Sequence, residues 1–144
     1  FVNSYRRFIK HSQAPVNFHW GHDNRTAGLR IPRSGPAARR VENRVAGADA
    51  NPYLVIAATL AAGLDGIERA LPPTDPMGDS AYEQAHTLPR SLVSAIEAFA
   101  GDGVATRLFG ERFVRGYAST KEVEYESWLA EIGAWERRFL VPQA

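Results

Sequence analysis

The run Arg40-Val41-Glu42-Asn43-Arg44 sets three charges two residues apart. On a β-strand, side chains at i, i+2 and i+4 leave one face at intervals of about 6.5–7 Å, so this run would present cation, anion, cation in a row. The bland reading is a solvated strand face whose ion pairs contribute well under about 1 kcal/mol. Arg7, Arg25 and Arg30 tilt the balance, because they fall on or beside the same expected sheet. So much like charge in one place is costly unless an anion compensates it. Guanidinium groups make planar, two-pronged contacts to phosphate or carboxylate, so a small anionic ligand is the chemistry to expect.

The charge distribution supports this. Residues 1–44 hold eight Arg and one Lys against Asp23 and Glu42, a balance of +7, whereas residues 45–144 carry −6. A nucleic-acid site would require a broad basic face with stacking aromatics. Phe18 and Trp20 keep that alternative open, but the small-anion reading leads and no nucleic-acid partner is expected. With 144 residues, 44% of them hydrophobic, the chain is sized for one compact unit with a real core. It has neither the roughly 18 uninterrupted apolar residues of a membrane span nor a charged-then-apolar leader. The absence of cysteine excludes a disulfide scaffold or thiolate metal site and fits the cytoplasm, the expected compartment. A chain that begins Phe1-Val2-Asn3 without Met is expected to be a piece of something longer.

Several elements must position the arginines. Val16, Phe18 and Trp20 alternate with Asn17 and His19, the period of a half-buried strand. After a turn at 21–24, Ala27, Leu29 and Ile31 alternate again, which predicts a β-hairpin. Residues 39–45 are a candidate for a third strand. Asn51-Pro52 is an N-cap followed by proline at the first helical position, and the uncharged residues 53–64 predict a helix buried nearly all round. A proline-rich loop runs to about 87, then helices are expected over 88–100 and 104–109. Ser119-Thr120-Lys121-Glu122 reads as a capping box opening a last helix, with Tyr125, Trp128, Leu129, Ile132, Trp135 and Phe139 at helical spacing up to Pro142. The fold class is therefore α+β: a small antiparallel sheet followed by packed helices.

In order and spacing, Asn3-Ser4-Tyr5-Arg6-Arg7, Ala14-Pro15, the block from Asn24 to Pro32, Arg39-Arg40-Val41-Glu42-Asn43-Arg44 and Ala48-Asp49-Ala50-Asn51-Pro52-Tyr53-Leu54 resemble successive C-terminal blocks of the glutamine synthetase family. Ala61-Ala62-Gly63-Leu64-Asp65-Gly66-Ile67 continues the match, which is specific over residues 3–67. Beyond that it is a looser pattern of aromatics with Lys121 and Glu124. The resemblance implies that residues 1–144 are a C-terminal fragment of a glutamine synthetase-like catalytic domain. Such enzymes use ATP to phosphorylate the side-chain carboxylate of glutamate, and ammonia or an amine then displaces the phosphate. By the same resemblance, Arg7 and Arg44 match glutamate-binding residues, with Arg44 also near the transferred phosphate. Arg25, Arg30 and Arg40 match contacts to ATP phosphates, Arg25 and Arg44 being the catalytic pair. Glu42 matches a ligand of Mg2+ or Mn2+. These residue types suit phosphoryl transfer, which depends on positioning and charge neutralisation.

Two departures matter. Glutamine synthetases carry Glu-Ala-Pro in a flap whose glutamate binds and deprotonates ammonium; here the tripeptide is Gln13-Ala14-Pro15, and an amide cannot do either. The resemblance is thus closer to glutamate–amine ligases of the gamma-glutamylpolyamine synthetase type, with polyamines or small monoamines as candidates. Glutamine synthetase proper, or a regulatory homologue without turnover, are the alternatives. The second departure is that one carboxylate cannot build a two-metal site. The family's other metal ligands precede this segment, so the implied partners are the N-terminal part of the enzyme and further subunits of a homo-oligomeric ring. His11, His19 and His22 lie across a loop, a strand and a turn without a ligand spacing. His86 stands alone, Trp20, Trp128 and Trp135 read as packing residues, and Glu122, Glu124 and Glu126 read as a solvated helix face.

Overall fold

The computed structural model describes residues 1–143. The chain folds as two compact units: Asn3–Arg90, and Phe1–Val2 with the residues from Ser91 onward.

The first unit carries the sheet. β1 (Trp20–His22), β2 (Leu29–Ile31) and β3 (Glu42–Asn43) lie side by side in that order. β2 and β3 pair antiparallel as expected, but β1 and β2 are parallel, with Trp20 opposite Leu29 and His22 opposite Ile31. The sheet is therefore mixed, and no hairpin joins β1 to β2. Parallel neighbours ordinarily need a crossover of a dozen residues or more. Here the strands are only three residues long, so residues 23–28 suffice to carry the chain back roughly 10 Å to the start of β2. The expected strand at Val16 is also displaced. Val16 is fully buried, but its carbonyl accepts the amides of Thr87 and Leu88, at 2.9 and 3.2 Å, instead of a strand partner. The loop over residues 70–87 thus takes the place of a sheet neighbour, with Met77 N–H donating to the Trp20 carbonyl at 2.8 Å. Phe8, Ala14 and Leu88 form the buried core, flanked by Tyr5 and Val45.

Helix α1 (Pro52–Glu68) begins where expected: the Asn51 side chain accepts from Tyr53 and Leu54 N–H, a cap worth about 1 kcal/mol. Its burial is the reverse of the expectation. The sole buried residue of α1 is Asp65, paired with Arg69 at 3.2 Å, whereas Tyr53, Ile56, Leu60, Leu64 and Ile67 are 58–82% exposed. An uncharged helix can be buried only by a surface that complements it, and within the Asn3–Arg90 unit no described residue covers that stripe.

In the second unit, α2 (Leu92–Ala100) and α3 (Gly103–Phe109) both pack on α4 (Glu111–Leu129). Ser91 and Ser94 cap α2 reciprocally. Phe109, Phe113 and Tyr117, four residues apart, pack at centroid distances of 5.8 Å, Phe113 stacked on Tyr117 and tilted against Phe109. The Ser119-Glu122 sequence caps nothing. Gly110, at φ 80°, provides the break, and α4 runs uninterrupted through residue 119. The aromatic stripe expected in one last helix is divided, with α5 (Ala134–Phe139) starting after Gly133. Glu124 is not simply solvated: it accepts from Lys121 at 2.7 Å and from Val2 N–H at 3.1 Å. Burial alone would raise its pKa; those partners hold it below the usual range. No helix among the described residues is long and apolar enough to cross a membrane.

Candidate active site

The antiparallel register places Arg30 directly opposite Glu42, where cross-strand side chains share a face. Arg30 Nη1 donates to Glu42 Oε2 at 2.8 Å, while Arg40 approaches Oε1 through Nη2 at 2.9 Å and Nε at 3.1 Å. Each carboxylate oxygen thus receives one guanidinium. Arg30 Nη2 also reaches Asp23 Oδ1 at 3.1 Å. The hydrogen bond from Arg30, then that from Arg40, hold Glu42 below the ordinary carboxylate range against the opposing effect of burial. The same pair raises Arg30. Glu42 and Arg30 are therefore both ionised at neutral pH. The Arg30 side chain is only 17% exposed and committed to its two carboxylates, whereas Arg40 is 54% exposed. Arg25 is exposed as well. On the opposite sheet face, Trp20, Leu29, Ile31 and Val41 line an apolar hollow with Pro73 and Thr74.

Arg40 and Glu42 thus meet on one face, as their alternation suggests, but Arg44 leaves the row. β3 ends at Asn43, and Arg44 Nη2 turns to the backbone, donating to the carbonyls of Gln13 and Arg25 at 2.6 and 2.7 Å. Arg7 joins this second group. Its Nη1 donates to the Val45 carbonyl at 2.5 Å and its Nη2 to the Arg44 carbonyl at 3.1 Å. Gln13 is exposed, with its backbone at φ 62°.

Asp23 was invisible in the sequence pattern, where it reads only as a turn residue. Its φ of 51° and its acceptance of the Arg33 N–H at 3.3 Å are what aim the carboxylate back at Arg30. The Ser4 hydroxyl likewise donates to Asp49, lowering its pKa. The histidines pack: His11 lies edge-on to Tyr82 and His22 to Trp20, at 5.4 and 5.6 Å. Among the described residues no three His, Cys, Asp or Glu side chains gather to hold a metal. Glu42 sits between two guanidinium groups, one on each oxygen; its donor chemistry is that of a carboxylate, the ligand type hard divalent cations take.

The model of the family described as "Glutamine synthetase, catalytic domain" matches residues 1–140. The chain belongs to this family. It is 43% identical over 139 residues to the glutamate–isopropylamine ligase of a Pseudomonas species, and 41% identical over 139 residues to gamma-glutamylethanolamide synthetase GlnA4 of Streptomyces coelicolor. These alignments take in 94% and 95% of this chain but 30% of each relative. The ligand-free structure of GmaS superposes with a TM-score of 0.79 at 35% identity, over 97% of this chain and 32% of that one. The glutamine synthetase-family segment therefore spans about a third of the length of the proteins it matches.

Proposed function

We propose that this segment supplies the arginine-rich part of a ligase that uses ATP to join an amine to the side-chain carboxylate of glutamate through gamma-glutamyl phosphate. The observation that carries the reading is the pairing of Arg30 and Arg40 with one carboxylate, Glu42, on β2 and β3, together with a second group in which Arg44 holds the Gln13 and Arg25 carbonyls. In this reading the exposed guanidiniums of Arg25 and Arg40 bind ATP phosphates, and Arg30 holds Glu42 ionised and oriented. Arg7 and Arg44 border the glutamate. Glu42 would be one ligand of Mg2+ or Mn2+, whose chemistry when bound is to neutralise charge on the phosphates. The neutral Gln13 amide favours an organic amine over ammonium, and the two relatives named for organic amines support that choice. The exposed apolar stripe of α1 supports a further partner: the remaining two-thirds of a glutamine synthetase-type polypeptide, carrying the other metal carboxylates, within a homo-oligomer.

Replacing the matched 139 residues of the Pseudomonas ligase with this segment provides the test. The chimera is expected to release ADP only when glutamate and an amine are both present, and the 144-residue chain alone to release none. A chimera that folds and binds ATP without turnover would favour the regulatory homologue.

A further inference from the structure

We propose that Arg44 is a positioning residue: through a single nitrogen it ties the Gln13 carbonyl to the Arg25 carbonyl, and so sets the conformation of the loop that presents the Gln13 side chain. The clamp concerns the chain's own geometry; that the clamped loop meets an amine rests on the ligase reading.

The loop over residues 9–15 holds two non-glycine residues in the left-handed region, His11 at φ 65° and Gln13 at φ 62°. L-residues avoid that region, and they persist there only where surrounding interactions over-determine the backbone. Before Gln13, the Ser12 hydroxyl lies 2.7 and 2.6 Å from the carbonyls of Arg7 and Ile9, and it accepts the Ala14 N–H at 3.2 Å. After Gln13, the Tyr82 hydroxyl donates to the Ala14 carbonyl at 3.0 Å, and Ala14 and Pro15 are buried. Gln13 itself is exposed, and its carbonyl is fixed by Arg44 Nη2 at 2.6 Å. The second proton of Nη2 goes to Arg25 at 2.7 Å.

Arg44 is itself anchored. Its N–H donates to the Gly28 carbonyl at 2.9 Å, and its own carbonyl accepts from Arg7, two residues before the loop opens. Arg7 and Arg44 thus hold both ends of the loop against the end of β3. A planar guanidinium suits this bridge, because its two Nη2 protons diverge at a fixed angle toward two separate carbonyls. A lysine keeps the charge but has neither the fork nor the reach.

Hydrogen–deuterium exchange on the 144-residue chain tests the clamp without any catalysis. In Arg44→Lys and Arg44→Ala, the amides of Ser12, Ala14 and Thr26 should exchange at least tenfold faster, while those in the middle of α1 keep their rates. Millimolar guanidinium should restore protection to Arg44→Ala, and ammonium at the same concentration should not. Wild-type exchange in Arg44→Lys would overturn the proposal. So would equal acceleration throughout residues 3–90, or rescue by ammonium as good as by guanidinium. An inactive chimera would leave the clamp standing, and a failed clamp would leave the ligase reading standing.

Discussion

Replacing Gly28 with alanine should unsettle the sheet end that gathers the arginines. A Cβ at this position would lie 2.7 Å from the Asn17 carbonyl oxygen, 3.3 Å from Phe18 Cα and 3.4 Å from the His19 oxygen. All three are backbone atoms, so no side-chain rotation can relieve the overlap, and either β2 or the 17–19 backbone must shift. The displacement also disturbs the Leu29 N–H to His19 bond at 3.2 Å and the Arg44 N–H to Gly28 bond at 2.9 Å. Overpacking of this kind costs about 1–3 kcal/mol. At roughly 4–8 °C per kcal/mol for a unit of this size, the melting temperature should fall by roughly 5–20 °C. Gly63→Ala is the matched control: nothing lies within 4 Å of its added Cβ, and it sits within α1. It should gain up to about 1 kcal/mol from helix propensity. Thermal denaturation followed by far-UV circular dichroism reads both. A Gly28→Ala curve that overlays wild type, or a loss as large in Gly63→Ala, would refute the close-approach argument.

The remaining expectations concern the charged groups. Because Glu42 titrates below its ordinary 4.5 in the fold, its ion pairs stabilise fully above that value and are lost as pH falls through the lower folded pKa. Urea denaturation should therefore show a gap between wild type and Glu42→Gln at pH 7 that starts to narrow as pH falls below the ordinary 4.5 and closes only beneath the lowered folded value. In the chimera, Glu42→Gln should lower kcat/KM by about a hundredfold, as for other preorganised charge-stabilising groups; wild-type rates would assign the row to a solvated surface. Gln13→Glu should raise kcat/KM for ammonia relative to an amine panel, and a wild type that prefers ammonia with an unchanged ranking in the variant would count against amine use.

What could be read from sequence was local. Asn51-Pro52 marks the start of α1 because cap and proline act on adjacent backbone groups, and the alternation of Arg40 and Glu42 puts both on one face because pleating does. Strand direction is another matter. Alternation around Leu29 is the same for a parallel or an antiparallel neighbour, and β1 owes its position to residues 70–87, far away in sequence. Ser119-Glu122 has the composition of a cap, but composition does not show whether the backbone before it is already helical. The role of Arg44 was hidden most deeply. Two-residue spacing predicts its strand face, yet the strand stops one residue short, and the guanidinium then finds carbonyls 31 and 19 residues upstream. The family match carried the arginines as a set; only the folded backbone separates those facing solvent from those holding the chain together.

The outward-facing apolar stripe of α1 bears on how much of this protein a cell retains. Tyr53, Leu60 and Ile67 recur at seven-residue intervals on a helix whose residues 53–64 carry no charge. Left uncovered, such a surface resembles the features by which chaperones and quality-control proteases recognise unfinished proteins. Steady-state abundance then becomes a measure of assembly, rising when a complementary surface shields the helix and falling when synthesis outruns it. A charged residue at Leu60 would relieve the aggregation hazard of the isolated chain while spoiling this apolar face for any complementary surface, so solubility and docking pull this helix in opposite directions.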